Sequence, residues 1–209
     1  AEGSAPAEGQ PRIGVLALQG AFREHARMLR KLGAMVTEVR LPGELEGLAG
    51  LVIPGGESST MGLLMEQYRL MDPLRDFARE RPVFGTCAGL IMLADKTIDG
   101  EQPLLGVMDV TVRRNAFGRQ PRSFEASVEL HLDSEPEKAF LGIFIRAPWV
   151  EAMGPTVEAI AHYDGRIVGV RQDSAMGVAF HPELGVDTRL HEYFLEMVLE
   201  EGTKSAVAE

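Results

Sequence analysis

The chain has 209 residues, 45% hydrophobic and 25% charged, the balance of an ordinary globular protein of one large domain. Lys and Arg number 21 against 31 Asp and Glu, a formal charge of −10, which argues against sequence-independent nucleic-acid binding and gives no reason for adhesion to anionic membranes. No apolar run approaches the roughly 18 residues of a membrane span, and one cysteine cannot close an internal disulfide, so a reducing cytoplasmic setting is expected.

Residues 1–11 are small, polar and Pro/Gly-containing, and read as a disordered tail or a cloning remnant, not a signal peptide. The run Ile13 to Leu18 suits a strand buried on both faces. Gln19-Gly20 breaks it, and Phe22, Ala26, Leu29 and Leu32 then recur at helical spacing until Gly33. Met35 to Val39 and Leu48 to Ile53 are the next strand candidates, the second closed by Pro54-Gly55-Gly56. A helix is expected from about Ser58–Thr60 to Tyr68, and another over Pro73 to Arg79 with Asp72 as N-cap. Val83-Phe84 is a short strand, and the run after Gly89 is helical to about Ala94.

The second half reads differently. Short strand-like runs cover Gly106–Val112, Phe124–Leu132, Gly142–Arg146, Val157–His162, Arg166–Arg171 and Met176–Phe180, with Tyr163-Asp164-Gly165 as a hairpin signal. Helical spacing returns at Leu190, Tyr193, Phe194, Met197 and Val198. The expectation is a single α/β domain over residues 12–201, followed by a C-terminal tail at 202–209. Its mostly parallel central sheet is flanked by helices and extended by short antiparallel strands. In such sheets, ligands sit beyond the carboxyl ends of the strands, where Gln19-Gly20, Pro54 to Ser59 and Gly85 to Gly89 should meet.

Gly85-Thr86-Cys87-Ala88-Gly89 is a Gly-x-Cys-x-Gly pentapeptide between strand and helix, the pattern of a nucleophile elbow. The central residue of such an elbow is strained, and a Cβ on either flanking position would clash. The helix that follows points its N-terminus at the sulfur and favours the thiolate. A thiol nucleophile needs a base. Of five histidines, His25 and His191 fall among charged residues of expected helices and read as solvated, while His131 and His162 read as structural. His181 ends the apolar run Val178-Ala179-Phe180 and precedes Pro182-Glu183. It can face the elbow, with Glu183 orienting its ring. The N–H of Ala88 and an N–H of the Gly55-Gly56 turn are the candidate oxyanion donors.

These stretches resemble the class I, triad-type glutamine amidotransferases. Within that group, Ile13 to Ala21, Pro54 to Met61, Phe84 to Leu93, Arg114 to Gln120, Phe144 to Pro148 and Ala179 to Leu184 are similar to the family of glutaminase subunits of pyridoxal 5′-phosphate synthase. The resemblance covers nearly everything from Ile13 to about Leu199. It implies that Cys87 attacks the carboxamide of L-glutamine to give a thioester and ammonia. His181 would shuttle the proton and Glu183 hold the imidazole. Gly56, Glu57, Ser58, Arg114, Ile145 and Arg146 would line the glutamine pocket, and Gln19 would sense a docked partner. The partner implied is a separate synthase subunit in a hetero-oligomer, which uses the ammonia to build pyridoxal 5′-phosphate. No cofactor and no metal are expected, since the histidines lack ligand spacing and the Gly-rich loop lacks a phosphate-loop ending. Two other readings remain: a glutaminase subunit serving another synthase, such as one for histidine or aminobenzoate, and a non-catalytic binding protein on the same fold.

Overall fold

The computed structural model describes residues 9–118, 122–132 and 138–208. Residues 1–8 of the expected N-terminal tail, and residues 119–120 at the end of the Arg114 motif, lie outside the described residues.

In chain order the elements are β1 (Arg12–Leu16), α1 (Phe22–Lys31), β2 (Met35–Val39), β3 (Gly50–Ile53), α2 (Ser58–Gln67), α3 (Met71–Glu80), β4 (Val83–Thr86), α4 (Ala88–Leu93), β5 (Ala94–Thr97) and β6 (Met108–Arg113). There follow β7 (Ser123–Leu130), β8 (Phe140–Ile145), β9 (Trp149–Met153), β10 (Glu158–Tyr163), β11 (Arg166–Gln172), β12 (Ala175–Val178) and α5 (Arg189–Val207). A 3-10 turn, Pro182–Leu184, links β12 towards α5. The main strand order is β2-β1-β3-β4-β12-β11-β10-β7-β8. Neighbours are parallel from β2 to β12 and antiparallel from β12 to β8. The pair β5 and β6 joins the sheet through β9, which pairs with β6 and β11. This is the expected α/β domain: a parallel half extended by antiparallel strands.

Several elements depart from the sequence reading. Strands β5 and β9 were not expected; β5 begins at Ala94, where α4 ends, and both are short. Helix α3 starts at Met71 with Leu70 as N-cap, so Asp72 and Pro73 lie inside its first turn. Proline is tolerated there because the first four N–H groups of a helix have no intrahelical partner. Helix α5 runs to Val207, through most of the stretch expected as a tail.

The alternation of β4 sets the two layers of the core. Phe84 and Thr86 point to one face and Val83 and Gly85 to the other. On the first face, Phe84 meets Phe194 of α5 at 5.7 Å between ring centroids. Gly50 of β3 accepts the same helix so closely that a Cβ would lie 2.8 Å from Val198. Helix α1 packs beside it over β1 and β2. On the second face α4 covers β4 and β12, and a Cβ on Gly177 would lie 2.6 Å from Leu90. Phe84 and Phe194 are fully buried, and each contributes about 1.5–3 kcal/mol by removal from water.

Candidate active site

The loops leaving the carboxyl ends of β1, β3, β4 and β12 converge, as the parallel order requires. Gly20 packs on the Gly55 carbonyl, where a Cβ would stand only 1.9 Å from the oxygen. The Gln19 side-chain carbonyl accepts the Glu57 N–H at 2.9 Å. The two partners of Gly55 follow different strands, β12 and β4: a Cβ there would lie 2.7 Å from Cε1 of His181 and 3.3 Å from Cβ of Cys87.

Cys87 sits at the head of α4 with φ 52° and ψ −111°. A non-glycine residue there carries strain of order 1–3 kcal/mol. What holds it is the tightness of the turn. A Cβ on Gly85 would lie 2.5 Å from the Gly89 backbone, and one on Gly89 would lie 1.9 Å from the Ile53 carbonyl oxygen. The Cys87 N–H donates to Val178 of β12 at 2.8 Å, and its thiol lies 3.7 Å from the Ile145 carbonyl.

His181 follows β12. Its N–H donates to the Ile143 carbonyl at 2.8 Å, and its Nδ1 lies 2.6 Å from Oε1 of Glu183. His181 is 8% exposed and Glu183 5%. Burial pushes the imidazole pKa down, but hydrogen bonds and charge interactions with Cys87 and Glu183 outweigh it and carry the pKa up to about 10. At neutral pH this imidazole is therefore charged and able to give a proton.

A cavity of about 600 Å³ opens in front of the thiol. Gly56, Glu57, Ser58, Cys87, Ala88, Arg114, Ile145, Arg146 and His181 all line it. So the structure brings together the sequence-predicted residues, apart from Glu183, which stands behind His181, and Gln19, which reaches the wall through Glu57. The roles of the polar lining differ. Glu57 caps α2: its carboxylate accepts from the hydroxyls of Ser59 and Thr60, each at 2.7 Å, and from their N–H groups. The Ser59 and then the Thr60 hydroxyl bonds hold its pKa down to about 2. Arg114 donates to Gln102 at 2.6 Å and to the Asp99 backbone carbonyl at 2.9 Å, and pairs with the Asp99 carboxylate at 3.4 Å. The Arg146 guanidinium has no hydrogen-bond or ion-pair partner among the described residues, and its backbone has φ 45°. Among the described residues, no group of three or more His, Cys, Asp or Glu side chains could hold a metal ion.

The histidines correct the sequence reading. His25 and His191, expected to be solvated, are both 0% exposed. His25 Nδ1 lies 2.8 Å from His191 Nε2, and His25 Nε2 lies 3.0 Å from the Thr86 hydroxyl. The signal was present in the spacing. His25 is three residues after Phe22 and four before Leu29, and His191 is three before Phe194 and seven before Val198, so both lie on the apolar faces of their helices. Asp99 and Gln102, which brace Arg114, come from a loop without periodicity and carried no such signal. His131 and His162 stand edge to face at 5.2 Å and do not line the cavity.

A strained cysteine elbow, a strand-end histidine and its carboxylate stand together at the carboxyl end of the parallel strands, the arrangement a triad amidotransferase would need. The chain belongs to the SNO glutamine amidotransferase family, whose model matches residues 15–200. It is 53% identical over 189 residues to the pyridoxal 5′-phosphate synthase subunit PdxT of Desulforudis audaxviator, covering 90% of this chain and 98% of that one. It is 55% identical over 195 residues to the protein of the same name from Leifsonia xyli, covering 91% and 97%. A crystal structure of a glutamine amidotransferase superposes with a TM-score of 0.83 at 47% identity, over 89% of this chain and 98% of that one.

Proposed function

We propose that the chain is the glutaminase subunit of a pyridoxal 5′-phosphate synthase, releasing ammonia from L-glutamine for a separate synthase subunit. The observation that carries this is the joint presence, around one cavity, of Cys87 in its strained elbow and of His181 hydrogen-bonded to Glu183.

In the reaction, the Cys87 sulfur, its proton held by the charged His181 imidazole, attacks the side-chain carboxamide carbon of glutamine. A C–S bond forms, and the oxyanion is received by the N–H groups of Gly56 and Ala88. His181 then protonates the departing nitrogen, the C–N bond breaks, and ammonia leaves a γ-glutamyl thioester. Water attacks the thioester, His181 takes its proton, and departure of the sulfur releases glutamate. Glu183 keeps the imidazole oriented and stabilises its charged form.

Glutamine also presents an α-carboxylate and an α-ammonium. Arg146 is the cation available for the carboxylate, while Arg114, already engaged by Asp99 and Gln102, shapes the same wall. Glu57, Ser58 and Ile145 complete the pocket. Ammonia release is coupled to the partner through Gln19, whose bond to the Glu57 N–H adjoins the Gly55-Gly56 turn. Neither glycine has a Cβ, so that turn can reorient at little cost, and a synthase that binds one orientation better would switch the site on. Catalysis is cytoplasmic, away from nucleic acid and membrane, and uses no cofactor. Among the described residues no helix is long and apolar enough to cross a membrane.

The test is ammonia release from glutamine with and without saturating synthase. Wild-type turnover should rise on addition of the synthase, and Cys87→Ala should abolish it while leaving complex formation intact. Ammonia production by the Cys87→Ala complex at the wild-type rate would remove the nucleophile from this scheme.

A further inference from the structure

Behind the triad lies a second set of buried polar groups for which the scheme above has no use. Glu183 presents Oε1 to His181, but its other oxygen, Oε2, is buried and makes no hydrogen bond of ordinary geometry among the described residues. His25 Nε2 lies 3.4 Å from that oxygen, with both side chains fully buried. The same nitrogen lies 3.0 Å from the Thr86 hydroxyl, and the opposite nitrogen of the ring lies 2.8 Å from Nε2 of His191. The contributing elements are independent: α1, β4, α5 and the turn after β12.

We propose that His25, held by His191 and Thr86, is the positioning residue of Glu183, so that the triad continues inward as Cys87–His181–Glu183–His25–His191. This rests on the triad reading above and extends it inward by two residues, from α1 and α5 on one face of the sheet.

The proton arrangement follows from which groups can tolerate being left alone. Suppose His25 carried its proton on Nδ1. It would donate to His191 Nε2, which would force the His191 proton onto Nδ1. That atom is buried with no partner among the described residues, and an orphaned buried N–H is the rarer and costlier defect. The lone pair of His25 Nε2 would also face the carboxylate of Glu183. With both protons on Nε2 instead, His191 donates to His25, and the His25 Nε2–H is directed at Thr86 and Glu183. The atom left unpaired on His191 is then only a lone pair. A neutral imidazole is the form that burial favours for both rings. The titratable groups packed against His25 are His191 from α5 and His181 and Glu183 from the strand-end segment.

A donor on Oε2 does two things for catalysis. It fixes the plane of the carboxylate, so that Oε1 stays in line with His181 Nδ1. It also compensates a carboxylate that would otherwise be buried against a single partner. A carboxylate free to rotate would let the imidazole swing, and small misplacements of a catalytic group cost large factors in rate.

Two measurements test this. The first is 15N NMR of the full chain labelled at histidine, recorded from about pH 6 to 8, where an ordinary histidine titrates. We expect His25 and His191 to stay neutral throughout, with the proton on Nε2 of each. A proton on Nδ1 of His25, or protonation of either ring in that range, overturns the proposal. This readout is independent of glutaminase activity, so it can fail while the triad scheme stands. The second compares His25→Leu with His25→Gln in the synthase complex, since the glutamine side-chain amide can place a donor where Nε2 was. We expect His25→Leu to lower kcat by about tenfold or more with KM for glutamine within about twofold of wild type. His25→Gln should recover most of that loss. A kcat for His25→Leu within about twofold of wild type, or equal losses in the two variants, overturns the proposal.

Discussion

The two walls of the cavity are built on opposite principles. On the parallel side, Gly20, Gly55, Gly85 and Gly89 leave no room for a methyl group, and the neighbours are largely backbone or the Cys87 and His181 side chains. On the antiparallel side, the lining consists of long side chains on half-open bends: Arg114 in front of β7, and Arg146, at φ 45°, just after β8. The first wall fixes atoms by steric exclusion and cannot yield without moving a strand. The second fixes them by charge and can adjust. In the proposed scheme the bond-making atoms, on Cys87 and His181, stand on the rigid wall, and the groups that would read the amino-acid end of glutamine stand on the adjustable one. This matches the demands of the two tasks, since reaction geometry tolerates far less error than an ion pair.

The sharpest way to break the contrast is to add one methyl to the rigid wall and one to the loop that carries Arg114 of the other wall. Gly89→Ala should be the most damaging substitution, because its Cβ would stand 1.9 Å from the Ile53 carbonyl oxygen, a backbone atom of the central sheet. We expect a stability loss of more than about 3 kcal/mol, or failure to accumulate as folded protein. Gly118→Ala, in the loop on the other side, would meet only the Asn115 carbonyl oxygen at 4.0 Å and should change stability by less than about 0.5 kcal/mol. Urea unfolding of both variants measures the difference. Similar losses at the two positions would show that the loop carrying Arg114 is held as tightly as the elbow.

Next in size are the cations. Arg146→Ala should raise KM for glutamine by the equivalent of about 1.5–3 kcal/mol, the range for hydrogen bonds to charged groups, with the fold intact. Arg114→Ala should act differently, because Arg114 already bonds Gln102 and Asp99, and Gln102 in turn accepts from Ser58 at 3.0 Å. Its loss should loosen the wall and lower kcat and raise KM together. Steady-state kinetics of the two variants in the complex separates these patterns. A pure KM effect at Arg114 and none at Arg146 would exchange their roles.

The same contrast explains what was legible in the sequence. The rigid wall is written in local punctuation: Gly-x-Cys-x-Gly, Pro-Gly-Gly after a strand, and His-Pro-Glu at a strand end each report a steric or hydrogen-bonding need of their own backbone. The parallel order then brings these loops to one place. The adjustable wall is written across long separations. Nothing near Arg114 says that Gln102 will brace it, and strand β9, which ties β6 to β11, is too short, right after Pro148, to stand out. His25 and His191 fall between these cases. Their helical spacing marked them as inward-facing, but the charged residues beside them in the sequence, which lie on the opposite helical face, masked it. The apolar stripe was the better guide.

The last effect is one of pH, and it separates the buried histidines from the catalytic pair proposed above. His25 and His191 are held below their ordinary value of 6.5, His25 by burial and by the neighbouring His191 and His181, and His191, by burial, to about 3. As pH falls below 6.5 the unfolded chain binds protons at both sites that the native chain refuses, so stability falls with falling pH. His181 acts in the other direction. Its native value is raised to about 10, so its contribution is complete below 6.5 and is lost as pH rises towards 10. Between pH 6.5 and about 5, above most carboxylate titrations, the two buried histidines therefore dominate. The wild-type slope should approach about 2.7 kcal/mol per pH unit, two protons' worth, and His191→Gln should reduce it by about 1.4 kcal/mol per pH unit while keeping a donor for His25. Urea unfolding of both proteins at pH 6.5 and 5 gives the two slopes. An unchanged slope in His191→Gln would mean that His191 takes up its proton equally in the folded and unfolded chain, and that the layer beneath β4 is not sealed against charge.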